Sequence, residues 1–196
     1  MNIEETFEYF YKNNAWGCVE TKSGPGSKKS ETFMHKYQFD VLFQLLKIHT
    51  ICDVPCGDCN WIFDCLPSFI EYTGMDISKT AIEENITKFP NRKFMHGDIA
   101  EKVLPKYDLI LCRDCMGHLP LEYIHKCLKN FKESGSKYLL TTTFINSYPS
   151  MNSNINFGNW MPINLQMPPF NFPPPLVLLN ESIETKKLGL WILNDI

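Results

Sequence analysis

In His49-Thr-Ile-Cys-Asp53-Val-Pro-Cys-Gly57-Asp58-Cys59, a short apolar run is followed by a proline and then by a turn that contains a glycine. A glycine directly after a buried strand lets the backbone approach a ligand closely. The spacing Gly-x-Gly-x-x-Gly is absent, so a cradle for a dinucleotide pyrophosphate is not expected. The stretch therefore predicts a strand that ends at a ligand site of another kind.

Predicted strands and helices alternate from this point onward. Strands are expected over 49–54, 70–75, 93–96, 107–112 and 137–143, and helices over 60–69, 78–89 and 120–131. Such alternation requires right-handed crossovers and a mostly parallel sheet. Two closing strands, over 176–180 and 188–193, bring the sheet to seven strands with an antiparallel hairpin at its C-terminal edge. The sequence thus predicts an α/β fold, arranged as a three-layer sandwich.

The segments around this alternating region have a different character. Residues 1–48 predict helices over 3–12 and 31–47 with a polar loop between them, and we expect them to form one domain with the core over 49–196. Residues 145–175 are rich in Asn, Pro and Phe. They are too apolar for a disordered linker and too proline-rich for a helix, so they predict an ordered loop that packs over another part of the protein or over a ligand.

Composition narrows the possible functions and locations. The 196 residues carry a net charge of -3, which does not favour a nucleic-acid partner. No apolar run approaches the roughly 20 residues needed to span a bilayer, and the N-terminal stretch does not resemble a signal peptide. We therefore expect a cytoplasmic protein without a membrane partner. In that compartment the eight cysteines are expected to be free thiols.

An acidic residue follows each of three later strands: Asp76, Asp98 and Asp114. Ligands of open α/β sheets bind beyond the carboxyl ends of the strands, so these side chains are candidates for ligand contact. Asp76 lies about twenty residues after the glycine turn, where an acceptor for ribose hydroxyls is found in nucleotide-binding folds. Asp98 belongs to a Gly-Asp-Ile sequence and can accept a hydrogen bond from an exocyclic amine.

This ordered series resembles class I S-adenosylmethionine-dependent methyltransferases, which are Rossmann-like, over roughly residues 49–143. The resemblance implies S-adenosylmethionine as cofactor. It places the first turn against the methionine part, the acid after the second strand on the ribose, and the Asp-Ile pair after the third strand on the adenine. The residues so implied are Asp53, Pro55, Cys56, Gly57, Asp76, Ile77, Asp98 and Ile99. The turn departs from the family form because it has a single glycine.

The N-terminal loop also resembles that of a subgroup of small methyltransferases. The matching residues are Trp16, Gly17 and Ser23, within a sequence that continues to Ser27. Two interpretations remain open for this loop. It is either a lid over the cofactor and substrate, or a linker between two helices.

The loop after the fourth strand faces the methyl donor in this family, which implies roles for Arg113, Asp114 and His118, with Arg113 also near the cofactor. His118 is a candidate general base for a substrate hydroxyl, because the unperturbed pKa of histidine lies near neutrality. The other interpretation is a histidine that caps the helix beginning near Pro120. Asp114 is the second candidate base.

The expected reaction is direct displacement at the sulfonium methyl, with positioning supplying much of the acceleration. We expect O-methylation of a small-molecule or sugar (glycan) hydroxyl. One alternative is N-methylation of a protein or another nitrogen acceptor. Another is a cofactor-binding regulator or scaffold that lacks catalysis.

Two Cys-x-x-Cys pairs and one tryptophan leave further alternatives. Cys56 with Cys59, and Cys112 with Cys115, could hold zinc or form redox pairs, but we expect buried free thiols and no metal. Trp160 is either a wall of the substrate site or part of the core.

Overall fold

The computed structural model describes residues 2–146 and 151–196, which divide into two compact units, Met1–Asp98 and Ile99–Ile196. The first unit contains five helices and three strands. In chain order these are α1 (Ile3–Lys12), α2 (Lys29–Thr32), α3 (His35–Leu46), β1 (Thr50–Asp53), α4 (Ile62–Cys65), β2 (Glu71–Asp76), α5 (Lys79–Lys88) and β3 (Lys93–His96).

The three strands of the first unit are parallel, and β2 lies between β1 and β3. Asp53 at the end of β1 is opposite Gly74, so β2 extends two residues further, to Asp76. Ser78 then begins α5, because its hydroxyl accepts a hydrogen bond from the backbone N–H of Ala81, as an N-cap should. The parallel pairing therefore places the ends of β1 and β2 at the same edge of the sheet.

The second unit contains one long helix and four strands: β4 (Leu109–Cys112), α6 (Leu121–Glu133), β5 (Tyr138–Phe144), β6 (Val177–Asn180) and β7 (Lys186–Ile192). β4 and β5 are parallel, whereas β7 pairs antiparallel with both β5 and β6. The apolar face of α6 buries Ile124, Cys127 and Phe131. The seven strands, mostly parallel with an antiparallel C-terminal hairpin, confirm the predicted α/β fold.

Two of the predicted helices differ from the structure. The helix expected over 31–47 is interrupted at Phe33 and Met34, which separate α2 from α3. The helix expected over 60–69 is a single turn, Ile62–Cys65, because Leu66 has an extended backbone with ψ 133°. Leu66 precedes Pro67, and the proline ring disfavours helical geometry in the residue before it.

The segment between β5 and β6 has neither helix nor strand over its described residues, 145–146 and 151–176. Met161, Ile163 and Leu165 are buried along it. The side-chain amide of Asn152 donates to the carbonyl oxygens of Asn164 and Pro168 at 2.9 Å. These contacts confirm an ordered loop from residue 151 onward, while residues 147–150 lie outside the described chain. Within the described ranges, the structure contains no helix of the length and hydropathy that crossing a membrane requires.

Candidate functional site

The turn after β1 is fixed against the end of β2 by backbone hydrogen bonds. The N–H of Cys56 donates to the carbonyl of Met75, and the N–H of Gly57 donates to the carboxylate of Asp76, both at 2.9 Å. Gly57 has φ +53°, a left-handed conformation in which glycine carries no steric penalty. The single glycine of this turn therefore occupies a position that requires one.

Asp76 is a buried carboxylate that holds two neighbouring backbone segments together. Besides the bond from Gly57, its other oxygen accepts from the N–H of Ser78 at 2.8 Å. Burial raises the pKa of Asp76, and these two backbone hydrogen bonds partly offset that effect. The backbone N–H of Ile77 also contributes to lowering the pKa. A carboxylate offers about four lone-pair positions, so Asp76 retains capacity to accept from a ribose hydroxyl.

Asp58 connects the turn to the N-terminal loop. Its carboxylate accepts hydrogen bonds from the hydroxyls of Thr21 and Ser23 at 2.9 Å and from the N–H of Lys22 at 2.8 Å. The Asp58 N–H donates in turn to the Ser23 hydroxyl oxygen at 2.9 Å. A Cβ at Gly57 would lie 2.0 Å from the Ser23 Oγ, so the loop is in close contact with the turn.

The N-terminal loop is also anchored to α1 and α5. Trp16 packs against Phe10, with ring centroids 5.0 Å apart. The Lys22 ammonium lies 2.6 Å from the Glu84 carboxylate, which also accepts a hydrogen bond from the Tyr11 hydroxyl. The structure thus brings Ser23 to the turn, whereas Trp16 packs on the first helix. Gly17 has φ +68° and adjoins that tryptophan.

Glu8 joins α1 to the start of α5, just after Asp76. Its carboxylate accepts hydrogen bonds from the hydroxyls of Ser78 at 2.6 Å and Thr80 at 2.5 Å. Burial raises the pKa of Glu8, but these hydrogen bonds and that from Lys12 outweigh it and lower the pKa to about 2. The negative charge of Glu8 is therefore held at the N-terminus of α5, where the helix dipole favours an anion.

The other residues of the predicted cofactor set occupy varied environments. Asp53 is buried and accepts a hydrogen bond from the Tyr72 hydroxyl at 2.9 Å, beneath the turn that contains Pro55. Asp98 is partly exposed beyond the end of β3. Ile77 presents its carbonyl to the His96 ring at 3.0 Å, and Ile99 is buried in the second unit.

In the second unit, four charged side chains cluster at the start of the loop after β4. Arg113 and Asp114 belong to the loop, Glu181 follows β6, and Lys186 begins β7. Two nitrogens of the Arg113 guanidinium donate to the two carboxylate oxygens of Glu181, at 2.9 and 2.8 Å. Its third nitrogen lies 3.2 Å from Asp114. Lys186 donates to the same Asp114 oxygen at 2.6 Å. The side chains of Arg113, Glu181 and Lys186 are buried, whereas that of Asp114 is partly exposed.

This cluster keeps Asp114 ionised. Burial raises the pKa of Asp114, but the positive charges of Arg113 and Lys186 outweigh it and lower the pKa below the usual range. The backbone of Asp114 has φ +51°, and its N–H donates to the Thr142 hydroxyl at 2.9 Å. A carboxylate stabilised in this way accepts hydrogen bonds well but accepts protons poorly, so Asp114 is the weaker candidate base.

His118 lies at the end of the same loop, in a short turn over Met116–His118. Its Nδ1 lies 2.9 Å from the carbonyl oxygen of Asn159. A carbonyl can only accept, so Nδ1 carries the hydrogen and the neutral ring has its lone pair on Nε2. Burial lowers the pKa of His118, against the opposing effects of Asn159 and Asp114, which favours the neutral ring at pH 7.

The cysteine pairs do not form a metal site within residues 2–146 and 151–196, where no three or more His, Cys, Asp or Glu side chains are arranged to hold an ion. All eight cysteines are free thiols. Burial raises the pKa of Cys56 well above the usual value, and contact with Cys115 together with burial does the same for Cys112. The raised pKa values favour the protonated thiols over the more reactive thiolates in the metal-free protein.

Several residues of these arrangements were not among the predicted site residues, including Glu8, Asp58, Glu181 and Lys186. Asp58 stands inside the quoted turn, and its place beside Gly57 is a signal that sequence reasoning could have used. Glu181 and Lys186 have no local motif. They reach the loop after β4 only because β6 and β7 pair at the edge of the second unit.

Comparisons with known proteins agree with this fold. Residues 52–134 match a family model described as a methyltransferase domain. Magnesium protoporphyrin IX methyltransferase from Synechocystis PCC 6803, solved with bound SAM, has a TM-score of 0.63 at 14% identity, covering 98% of this chain and 97% of that one. A search of curated proteins gives no match.

Two further structures share the fold. Human N-acetylserotonin methyltransferase in complex with SAM has a TM-score of 0.60 at 12% identity over 81% of this chain, which spans only 51% of the human one. The methyltransferase domain of bacterial CtHen1 also has a TM-score of 0.60 at 12% identity, covering 82% of this chain and 98% of that domain. At these identities the likeness establishes the fold.

Proposed function

We propose that this chain is a class I methyltransferase that transfers the methyl group of S-adenosylmethionine to a hydroxyl of a small-molecule acceptor. The observation that carries the choice of a hydroxyl is the state of His118. Its Nδ1–H is held by the Asn159 carbonyl, and burial lowers its pKa, so Nε2 is a basic atom at neutral pH. A hydroxyl needs such a base when it attacks, whereas a neutral amine does not.

The first unit offers the groups that fit the cofactor. The Asp76 carboxylate is fixed by two backbone N–H groups and retains lone pairs for the ribose hydroxyls. Asp98 can accept a hydrogen bond from the adenine amine. The turn of Pro55, Cys56 and Gly57 would hold the methionine part, as the resemblance implies. When bound, the cofactor supplies a methyl group activated by a sulfonium.

The second unit offers the groups for the acceptor. As the acceptor oxygen forms its bond to the methyl carbon, the pair of electrons in the carbon–sulfur bond stays on sulfur. The hydroxyl proton goes to Nε2 of His118. Asp114, held ionised by Arg113 and Lys186, accepts a hydrogen bond from the acceptor or stabilises the imidazolium that forms.

Incubation of the whole protein with methyl-labelled S-adenosylmethionine and a panel of phenols, sugars, peptides and RNA tests this proposal. We expect label on a hydroxyl of a small molecule. We expect His118→Ala to lower kcat by about 10²–10⁴-fold, the usual contribution of a general base, with cofactor affinity unchanged. His125→Ala is the matched control, because that ring is exposed on α6 of the same unit.

Three results would contradict the proposal, each in a different way. Label on peptide or other nitrogen atoms would favour N-methylation. Cofactor binding without transfer to any acceptor would favour a regulatory or scaffold role. Equal turnover of His118→Ala and wild type would remove His118 from the chemistry.

A further inference from the structure

Trp160 is an exposed indole on a rigid segment of the second unit. Its relative exposure is 59%, whereas Trp61 and Trp191 are buried at 7% and 1%. A large aromatic side chain left in water beside candidate catalytic groups forgoes the stabilisation that burial of its apolar surface would give. This exposure points to a ligand that covers the ring.

Hydrogen bonds to the loop after β4 fix the backbone on both sides of Trp160. The N–H of Met161 donates to the Gly117 carbonyl at 2.9 Å, and the N–H of Gly158 donates to the His118 carbonyl at 3.1 Å. Asn159, which directly precedes Trp160, accepts from the His118 ring. The candidate base and the exposed indole are therefore held by the same short segment.

The packing of Gly117 and Phe144 also holds the indole in place. A Cβ at Gly117 would lie 2.8 Å from the Met161 carbonyl oxygen, so the two segments are as close as a glycine allows. The Trp160 ring meets Phe144, at the end of β5, edge to face with centroids 5.9 Å apart and planes at 78°. Phe144 contacts the indole edge to face and does not stack on it. The exposed part of the Trp160 ring can therefore stack against a ligand.

The residues that directly follow Phe144 and Trp160 in the sequence are apolar. Ile145 follows Phe144 and is 44% exposed, and Met161 follows Trp160 and is buried. Aromatic side chains prefer to pack against other rings, and small-molecule sites combine apolar and aromatic side chains with a few placed hydrogen bonds. The exposed Trp160 and Ile145 therefore offer an apolar surface of the kind that a flat ring covers.

We propose that the acceptor is a planar aromatic molecule with a ring hydroxyl, which stacks on Trp160 and presents that hydroxyl to His118. This inference rests on the proposed function and adds the substrate class to it. Trp160 is then a specificity-determining residue, which sets affinity for the acceptor without taking part in proton transfer.

The test compares wild type, Trp160→Phe, Trp160→Ala and Tyr37→Ala, the last a control at an aromatic residue 74% exposed on α3. Binding of naphthols and catechols is measured by quenching of tryptophan fluorescence and by calorimetry, with S-adenosylhomocysteine present. KM and kcat for the same phenols are measured beside those for aliphatic alcohols and sugars.

We expect Trp160→Ala to weaken phenol binding and raise KM by about tenfold or more, the range found when a stacking aromatic is removed. We expect kcat to change little, Trp160→Phe to recover most of the affinity, and Tyr37→Ala to match wild type. Phenols that bind and quench without being methylated would support the aromatic site while contradicting the proposed function.

Other outcomes would overturn the aromatic site and leave methyl transfer standing. One is turnover of sugars or aliphatic alcohols in preference to phenols, with equal KM in wild type and Trp160→Ala. Another is a change of oligomeric state in Trp160→Ala with acceptor binding unaltered, which would make Trp160 a contact between protein molecules.

Discussion

The two regions that carry candidate site residues are built from different interactions. In the first unit, the turn after β1 is held by hydrogen bonds from backbone N–H groups and hydroxyls to the carboxylates of Asp58 and Asp76. In the second unit, the loop after β4 is held by charge, with Arg113 and Lys186 between Glu181 and Asp114. The first arrangement fixes backbone shape, and the second fixes the ionisation of side chains.

This difference matches the two tasks of the proposed reaction. A cofactor of constant shape is recognised by a rigid backbone and a few acceptors. In the proposed reaction, proton transfer from the acceptor depends on which groups are charged, and the lowered pKa values of Asp114 and His118 favour an anionic carboxylate and a neutral ring. We therefore expect substitutions in the first region to act through geometry, and those in the second to act through charge.

The largest expected effect comes from breaking the buried charge pair. Arg113→Met leaves the fully buried Glu181 without its two-point partner, and we expect the free energy of unfolding to fall by about 3–5 kcal/mol. Urea denaturation followed by circular dichroism measures the change. Lys129→Met is the control, because its pair with Glu133 is exposed and should contribute about 0–1 kcal/mol. Similar losses in both variants would show that the buried ion pair contributes no more to stability than an exposed one.

A smaller loss of stability is expected from adding a side chain in the turn after β1. Gly57→Ala adds a Cβ 2.0 Å from the Ser23 hydroxyl at a residue with φ +53°, and we expect a loss of about 1–3 kcal/mol together with weaker cofactor binding. Gly135→Ala separates the two causes, since Gly135 has φ +68° but no atom within 4 Å of the added carbon.

The double variant Gly57→Ala with Ser23→Gly sharpens this result. Removing the Ser23 side chain relieves the contact but not the backbone strain, and it also removes the two hydrogen bonds between Ser23 and Asp58. We therefore expect Gly57→Ala to cost less stability in the Ser23→Gly background than in wild type, as measured by thermal or urea unfolding. If Gly57→Ala lowers the free energy of unfolding no more than Gly135→Ala does, then Ser23 does not lie in close contact with Gly57.

The smallest expected effect is a shift in the pH dependence of turnover. His118 must be neutral to accept a proton, and burial lowers its pKa below the ordinary value of 6.5. Activity should therefore be complete at pH 7 and should fall on the acid side, with a midpoint below 6.5. A profile of kcat/KM against pH measures this midpoint. A midpoint above 6.5 would contradict the burial of a neutral ring.

The sequence predicted the features that depend on local pattern. The order of Asp53, Asp76 and Asp98 along successive parallel strands could be predicted because each acid stands at or just beyond the end of its strand. The helix over 78–89 was also predicted from local pattern, and the structure begins it directly after Ser78. The predicted helix over 60–69 was wrong because the apolar pattern was given more weight than Pro67, which limits the residue before it.

Other features depend on contacts between distant parts of the chain and left no local signal. Lys186 is 72 residues from Asp114, and only the antiparallel pairing of β7 with β5 brings it to the loop after β4. Ser23 is 35 residues from Asp58. The tautomer of His118 likewise depends on the carbonyl of Asn159, which no sequence pattern would indicate.

We propose that S-adenosylmethionine binds where β1 and β2 end and that Asp76 holds it there. Calorimetric titration of the whole protein with this cofactor is the direct test. We predict saturable binding near one equivalent for wild type and for Asp40→Asn, an exposed acid on α3. For Asp76→Asn we predict binding weaker by about 100-fold, which corresponds to about 2.7 kcal/mol. Absence of heat with wild type, or equal affinity in Asp76→Asn, would contradict the claim.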